Sequence, residues 1–144
     1  MRAVIQLVKE AAVAVDGEIC GRIGSGLLVL LGVGAKDSAA EVKYMADKIC
    51  NLRIFPDNDH LMNKSLLETR GEMLIVSQFT LYGDCRKGRR PSFKQAAGPD
   101  LAAELYALFI RQVRGKNIQT AAGRFQTHME VSLINDGPVT IILP

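Results

Sequence analysis

"AVIQLVKEAAVAVDGEICGRI", residues 3–23, sets how the chain begins. Residues 3–8 and 12–15 are apolar and rich in β-branched side chains, the composition of strands. Asp16-Gly17 is the pair that a two-residue hairpin favours, because both central positions need positive φ. Residues 18–23 then return. Gly24-Ser25-Gly26 forms the next turn, and residues 27–31 (LLVLL) show no polar alternation. Such a run suits a strand covered on both faces. The first third of the chain is therefore sheet.

Working outward, the period changes. Ser38-Ala39-Ala40-Glu41 opens a helix, with Ser38 able to cap free N–H groups while Glu41 reaches back. Val42, Met45, Ile49 and Leu52 follow at helical spacing as one buried stripe. Arg53-Ile54-Phe55 resumes extended structure before Pro56, and residues 57–70 read as a polar loop with a short helical turn. Residues 72–82 form the longest strand expected. Gly98-Pro99-Asp100 begins a second helix, with proline at the first helical position and an acid near the positive end of the dipole. Leu101, Leu105, Leu108 and Val113 supply its apolar face. Arg111 and Arg114 complement its C-terminus, and Gly115 ends it. Strands return from about Ile118. Strands with only two real helices, unevenly distributed, predict an α+β fold.

The chain has 144 residues, 48% hydrophobic and 23% charged, which suits one globular domain over residues 1–144. The apolar fraction leaves room for an oligomer interface. A formal net charge of +3 permits an anionic partner without requiring one. Cys20, Cys50 and Cys85 form no CxxC pair and are odd in number. With no secretory segment in view, reduced thiols in a cytoplasmic protein are expected. Only Cys85, beside Arg86 and Lys87, has a setting that favours reactivity. His60 and His128 lie far apart with no second ligand at metal spacing, so no metal site is expected. The longest apolar run, residues 27–33, is too short to span a bilayer.

Gly32-Val33-Gly34 between a strand and a helix invites a dinucleotide-binding reading, but Asp37 stands where the third glycine of GxGxxG should be. A strand-to-helix turn accounts for it better. Arg86, Lys87, Arg89 and Arg90 place four cations within five residues. They form either a solvated loop or a grip on a phosphate backbone, with Phe93 close by for stacking. In "SQFTLYGD", residues 77–84, polar residues interrupt what should be a core strand. If the strand continues, Ser77 and Phe79 share one face and Gln78 and Thr80 the other. They make either a wet edge strand or the polar floor of a pocket. No Ser-His-Asp set accompanies them; His128 is the only nearby base in sequence. "NDGPVT", residues 135–140, separates two apolar runs as a hairpin turn would, yet Pro138 has no N–H for a returning ladder.

Together "SQFTLYGD" and "NDGPVT" resemble the D-aminoacyl-tRNA deacylase family, whose patterns are SQxT-like on one strand and NxGPxT near the C-terminus. The likeness extends to "MRAVIQLVKEAAVAVDGE", "GLLVLLGV" and "RPSF", and so covers nearly the whole chain. It implies a homodimer with a mixed, mostly antiparallel, barrel-like sheet. It also implies an enzyme that hydrolyses the ester joining a D-amino acid to the 3′-terminal adenosine of tRNA, with no cofactor. By the same resemblance, Gly137-Pro138 takes a cis bond and projects into the opposite subunit's active site. Its two carbonyls would reject L side chains there, and glycyl-tRNA would pass. Ser77 would orient the bound amino acid, while Gln78 and the N–H groups of Phe79 and Thr80 would hold the ester carbonyl. The RNA's own 2′-OH would assist, leaving Thr80 no role as nucleophile. Phe125 and Met129 either line the adenine pocket or pack in the core. The rival expectations are a non-catalytic RNA-binding module that uses residues 86–90, and a small-ester hydrolase without RNA.

Overall fold

One 14-residue strand, β1 (Arg2–Val15), is the axis of the molecule in the computed structural model, which describes residues 1–144. It turns at Asp16 and Gly17, with φ of 52° and 80°, into β2 (Glu18–Ile23), so the expected hairpin is present. β3 (Gly26–Gly32) pairs back along the first half of β1 and is buried at every position but Leu30. That burial is what its unbroken apolar run predicts. α1 (Ala39–Asn51) starts from the Ser38–Glu41 capping box and buries Val42, Met45 and Ile49. Cys50 lies on the same buried face, where desolvation pushes its thiol up to about 11.

β4 (Phe55–Pro56) and β5 (Met62–Lys64) make a small separate ladder, and α2 (Leu66–Thr69) is the short helical turn expected in the polar stretch. β6 (Glu72–Ser77) runs parallel to β3, and the two backbones meet closely. A Cβ on Gly26 would sit 1.9 Å from the carbonyl oxygen of Glu72, so only glycine fits. α3 (Pro99–Arg114) has Gly98 as N-cap and Pro99 at its first turn, as its sequence predicts. It buries Leu105 and Val113 together with Ala102, Tyr106 and Phe109, while Leu101 and Leu108 are half-buried. Gly115 caps it with φ −61°; the left-handed residue is Asn117, at φ 60°. β7 (Thr120–Ala122) then pairs parallel with β6.

Two sequence readings give way here. β6 ends at Ser77, and Phe79–Tyr82 is a 3-10 turn rather than more strand. The cause is the loss of partners: β3 stops at Gly32 and β7 reaches only Ile75. Gln78 makes one last bond to the Leu31 carbonyl, at 2.8 Å, and the chain turns away. The strand alternation proposed for Gln78, Phe79 and Thr80 therefore does not apply.

The second concerns residues 135–140. β8 (Glu130–Leu143) does not reverse there but stays paired with β1 on both sides. Between the pairs Val8–Asn135 and Gln6–Thr140, β8 takes five steps against two on β1. Three surplus residues bulge outward, and Gly137-Pro138, joined by a cis bond, is in the bulge. The proline thus occurs where the ladder is already interrupted.

The sheet order is β2-β1-β3-β6-β7, with β8 on the other edge of β1. Its curl brings β2 against β7: a Cβ on Gly21 would lie 3.0 Å from the Ala122 carbonyl oxygen. The result is an α+β fold with a nearly closed mixed sheet. The main core, including Ile5, Val29, Ile75 and Phe109, lies between the sheet and the helices α1 and α3. A smaller one, including Val13, Ile23 and Leu74, fills the inside of the curl. No helix is long and apolar enough to cross a membrane.

Candidate active site

β3 and β6 run parallel, and a cleft of about 780 Å³ opens beyond their carboxyl ends. That is the size of a small-molecule site. Val33 lines it from the end of β3, and Ser77, Gln78 and Phe79 line it from the end of β6. Ala97, Pro99 and Ala102 form the wall at the head of α3. The β7–β8 connection closes the far side with Phe125, Gln126, Thr127, His128 and Met129. The head of α3 has no side-chain cap, so its positive end faces a neutral cleft. No carboxylate lines it.

The chain turns sharply after Ser77. Phe79 and Thr80 supply the first N–H groups of the 3-10 turn, which have no acceptor within the turn and no side-chain cap. Such groups at the head of a turn are available to a carbonyl oxygen. The Ser77 hydroxyl also has no internal partner. The Gln78 side-chain amide donates to the Thr80 hydroxyl, so the two are linked before any substrate enters. Thr80 itself is exposed and is not part of the cleft wall. Phe79 is 56% exposed and stacks edge-on against Phe93, ring centroids 5.1 Å apart.

The far wall is fastened from beneath. The buried Tyr106 hydroxyl donates to the Ile75 carbonyl at 2.7 Å, and its ring lies 5.9 Å from that of Phe125. Burial pushes this phenol up to about 12. Met129 lies against the Gly123 backbone, where a Cβ would meet its sulfur at 2.6 Å. Phe125 and Met129 therefore line the cleft and also pack on the cores. Sequence reasoning missed Gln126, Thr127, Val33 and Ala97, because loop residues carry no periodicity to mark them.

The remaining expected site residues are elsewhere. Gly137 and Pro138 are exposed on the β8 bulge and do not line their own chain's cleft. The basic loop is exposed, and Arg86 is paired with Asp84 at 2.6 Å, which holds that carboxyl well below its ordinary range. Lys87, Arg89 and Arg90 have no carboxylate partner.

The model of the D-Tyr-tRNA(Tyr) deacylase family matches residues 4–144. The chain belongs to this family. Named D-aminoacyl-tRNA deacylases resemble it closely. The Thermosipho africanus protein is 58% identical over 99% of this chain and 96% of its own. The Fervidobacterium nodosum protein is 57% identical with the same coverage. Among solved structures, a c-Myc DNA unwinding element binding protein superposes with TM-score 0.94 at 40% identity, covering 100% of this chain and 98% of its own. A probable eukaryotic D-amino acid tRNA deacylase gives TM-score 0.86 at 21% identity, covering 99% of this chain and 97% of its own.

Proposed function

We propose that this member of the deacylase family hydrolyses the ester of D-aminoacyl-tRNA, and that the turn after Ser77 is where the ester carbonyl binds. The chain is a hydrolase by family. The observation that carries the site assignment is the pair of N–H groups, on Phe79 and Thr80, at the uncapped head of the turn that follows β6. Donors fixed in advance toward developing negative charge are worth about 10²–10³-fold in rate per group. Ser77 orients the aminoacyl end, and the Gln78 amide adds a donor. With no carboxylate in the cleft and no base paired to a hydroxyl, a side-chain nucleophile is poorly supported. An activated ester, held close to the tRNA's own 2′-OH and a water, relies mainly on position.

Selection works by exclusion. The carbonyls of Gly137 and Pro138 approach the substrate Cα, admit hydrogen and clash with an L side chain. Favourable contacts of two enantiomers differ little, whereas a clash is large. Glycyl-tRNA, with no side chain to exclude, is accepted too. The pair is absent from its own chain's cleft, so a second copy supplies it. The free edge of β8, with Ile134 50% and Ile142 72% exposed, is the surface we assign to that homodimer. Charged tRNA as substrate places the protein in the cytoplasm.

The test is ester loss from D-tyrosyl-tRNA at substoichiometric enzyme. Turnover supports the reading; retention of tRNA with the ester intact would instead favour the RNA-binding module suggested by the unpaired Lys87, Arg89 and Arg90. Thr80→Ala is expected to keep a substantial part of the single-turnover rate, since its N–H survives. A covalent ester trapped on Thr80 would reverse that conclusion. Replacing the terminal 2′-OH by hydrogen should slow hydrolysis. Neutralising Arg86, Lys87, Arg89 and Arg90 should weaken substrate binding and flatten its salt dependence, leaving the D-to-L rate ratio unchanged. An unaltered salt slope would return the loop to a solvated surface.

A further inference from the structure

The 3-10 turn is held from its outer side by residues with no place in the cleft. Arg2, from the first residue of β1, donates a guanidinium N–H to the Leu81 carbonyl at 2.8 Å and lies over the Tyr82 ring, 4.5 Å from its centroid. The Tyr82 hydroxyl donates to Asp37 at 3.4 Å. The same Asp37 oxygen accepts the Gly34 N–H at 2.6 Å. Tyr82 also sits directly on Gly34, where a Cβ would come within 2.6 Å of its hydroxyl.

Those contacts join two neighbouring parts of the cleft lining. On one side is the turn that begins with Phe79, whose Leu81 N–H returns to the Gln78 carbonyl at 3.3 Å. On the other is the end of β3, where Val33 lines the cleft and accepts from the Ala97 N–H at 2.9 Å. We propose that Arg2, Tyr82 and Asp37 form a brace that sets the orientation of the Phe79 and Thr80 N–H groups relative to the end of β3. Arg2 is its positioning residue, because it fixes the Leu81 carbonyl of the turn and stacks on the ring that reaches Asp37. This rests on the reading of the turn as the ester-binding element.

The physical case is one of stiffness. A four-residue 3-10 turn has weak internal bonds of its own, and Phe79–Tyr82 has no fully buried residue to anchor it. Without outside support its N–H groups would sample several directions. A misplacement of about 1 Å near reacting atoms costs up to ~10²-fold in rate. Asp37 is also the residue that breaks the GxGxxG spacing, so its place in the sequence now has a structural use. Its other carboxylate oxygen accepts from the Met1 ammonium at 2.7 Å.

The experiment compares wild type, Arg2→Ala, Arg2→Lys and Tyr82→Leu in single-turnover deacylation of D-tyrosyl-tRNA, alongside thermal melting. Arg2→Ala and Tyr82→Leu are expected to slow the bound-state rate by about tenfold or more, with half-saturating enzyme concentration within about twofold of wild type. Arg2→Lys, which keeps the cation over the ring and one donor, should recover most of the rate. A rate per folded molecule equal to wild type in Arg2→Ala would overturn the brace. So would a rise in half-saturating concentration with a flatter salt dependence and an unchanged bound-state rate, because Arg2 would then be a phosphate contact. The wild-type reaction tests the assigned activity independently: if it fails, the function is wrong, and if it succeeds while the variants match it, only the brace is.

Discussion

Gly137→Ala should fold and lose about 10²-fold or more of its D-aminoacyl-tRNA hydrolysis. Gly137 has φ 121°, in a region that side-chain-bearing residues avoid at a cost of about 1–3 kcal/mol. A Cβ there would lie 2.7 Å from Val139 Cγ2 and 3.0 Å from the Val139 backbone nitrogen. The side chain could yield, but the backbone cannot without the bulge moving. Gly137 and Pro138 are exposed and Val139 is half-buried against the main core, so the movement falls on the exposed bulge rather than on the core. Melting temperature should therefore drop by only several degrees. Wild-type rate and wild-type rejection of L-aminoacyl esters in this variant would remove the bulge from the mechanism.

Ile134→Asp combined with Ile142→Asp should give a folded monomer with almost no activity. Ile134 is half and Ile142 mostly in solvent in the isolated chain, so that chain loses little on substitution. In a two-fold interface each new carboxylate meets its own copy or must be desolvated, a penalty of several kcal/mol per ion. Loss of the dimer would leave every cleft without the partner's bulge. Equilibrium sedimentation and single-turnover kinetics on the same sample decide the matter. A monomer with full, chirally selective activity would show that one chain suffices.

Much of the fold is readable in the residues because local and tertiary preferences agree. Asp16-Gly17 needs only its own positive φ values, and the Ser38–Glu41 box closes within one helical turn. Residues 27–31 are apolar because neighbours cover both faces. The failures occur where pairing partners run out or where register slips, neither of which leaves a mark on periodicity. Residues 78–82 have strand-like composition but no strand beside them, and they fold into the turn headed by Phe79. Residues 135–140 read as a hairpin because Asp136-Gly137 carries the right letters, while β1 continues alongside and holds both flanks in one ladder. Ser77 and Gln78 were legible as cleft-lining candidates from their polarity within an apolar strand. Gln126 and Thr127 were not, since nothing in a loop says which way it folds. The brace of Arg2, Tyr82 and Asp37 spans 80 positions and becomes visible only in three dimensions.

The most direct measurement is the ratio of hydrolysis rates for D-tyrosyl and L-tyrosyl esters on the same tRNA, at the same enzyme concentration. Exclusion by a rigid backbone gate should give fast loss of the D ester, fast loss of a glycyl ester and an L ester as long-lived as in buffer. Equal loss of the D and L esters would contradict the gate, and survival of all three would contradict the enzyme.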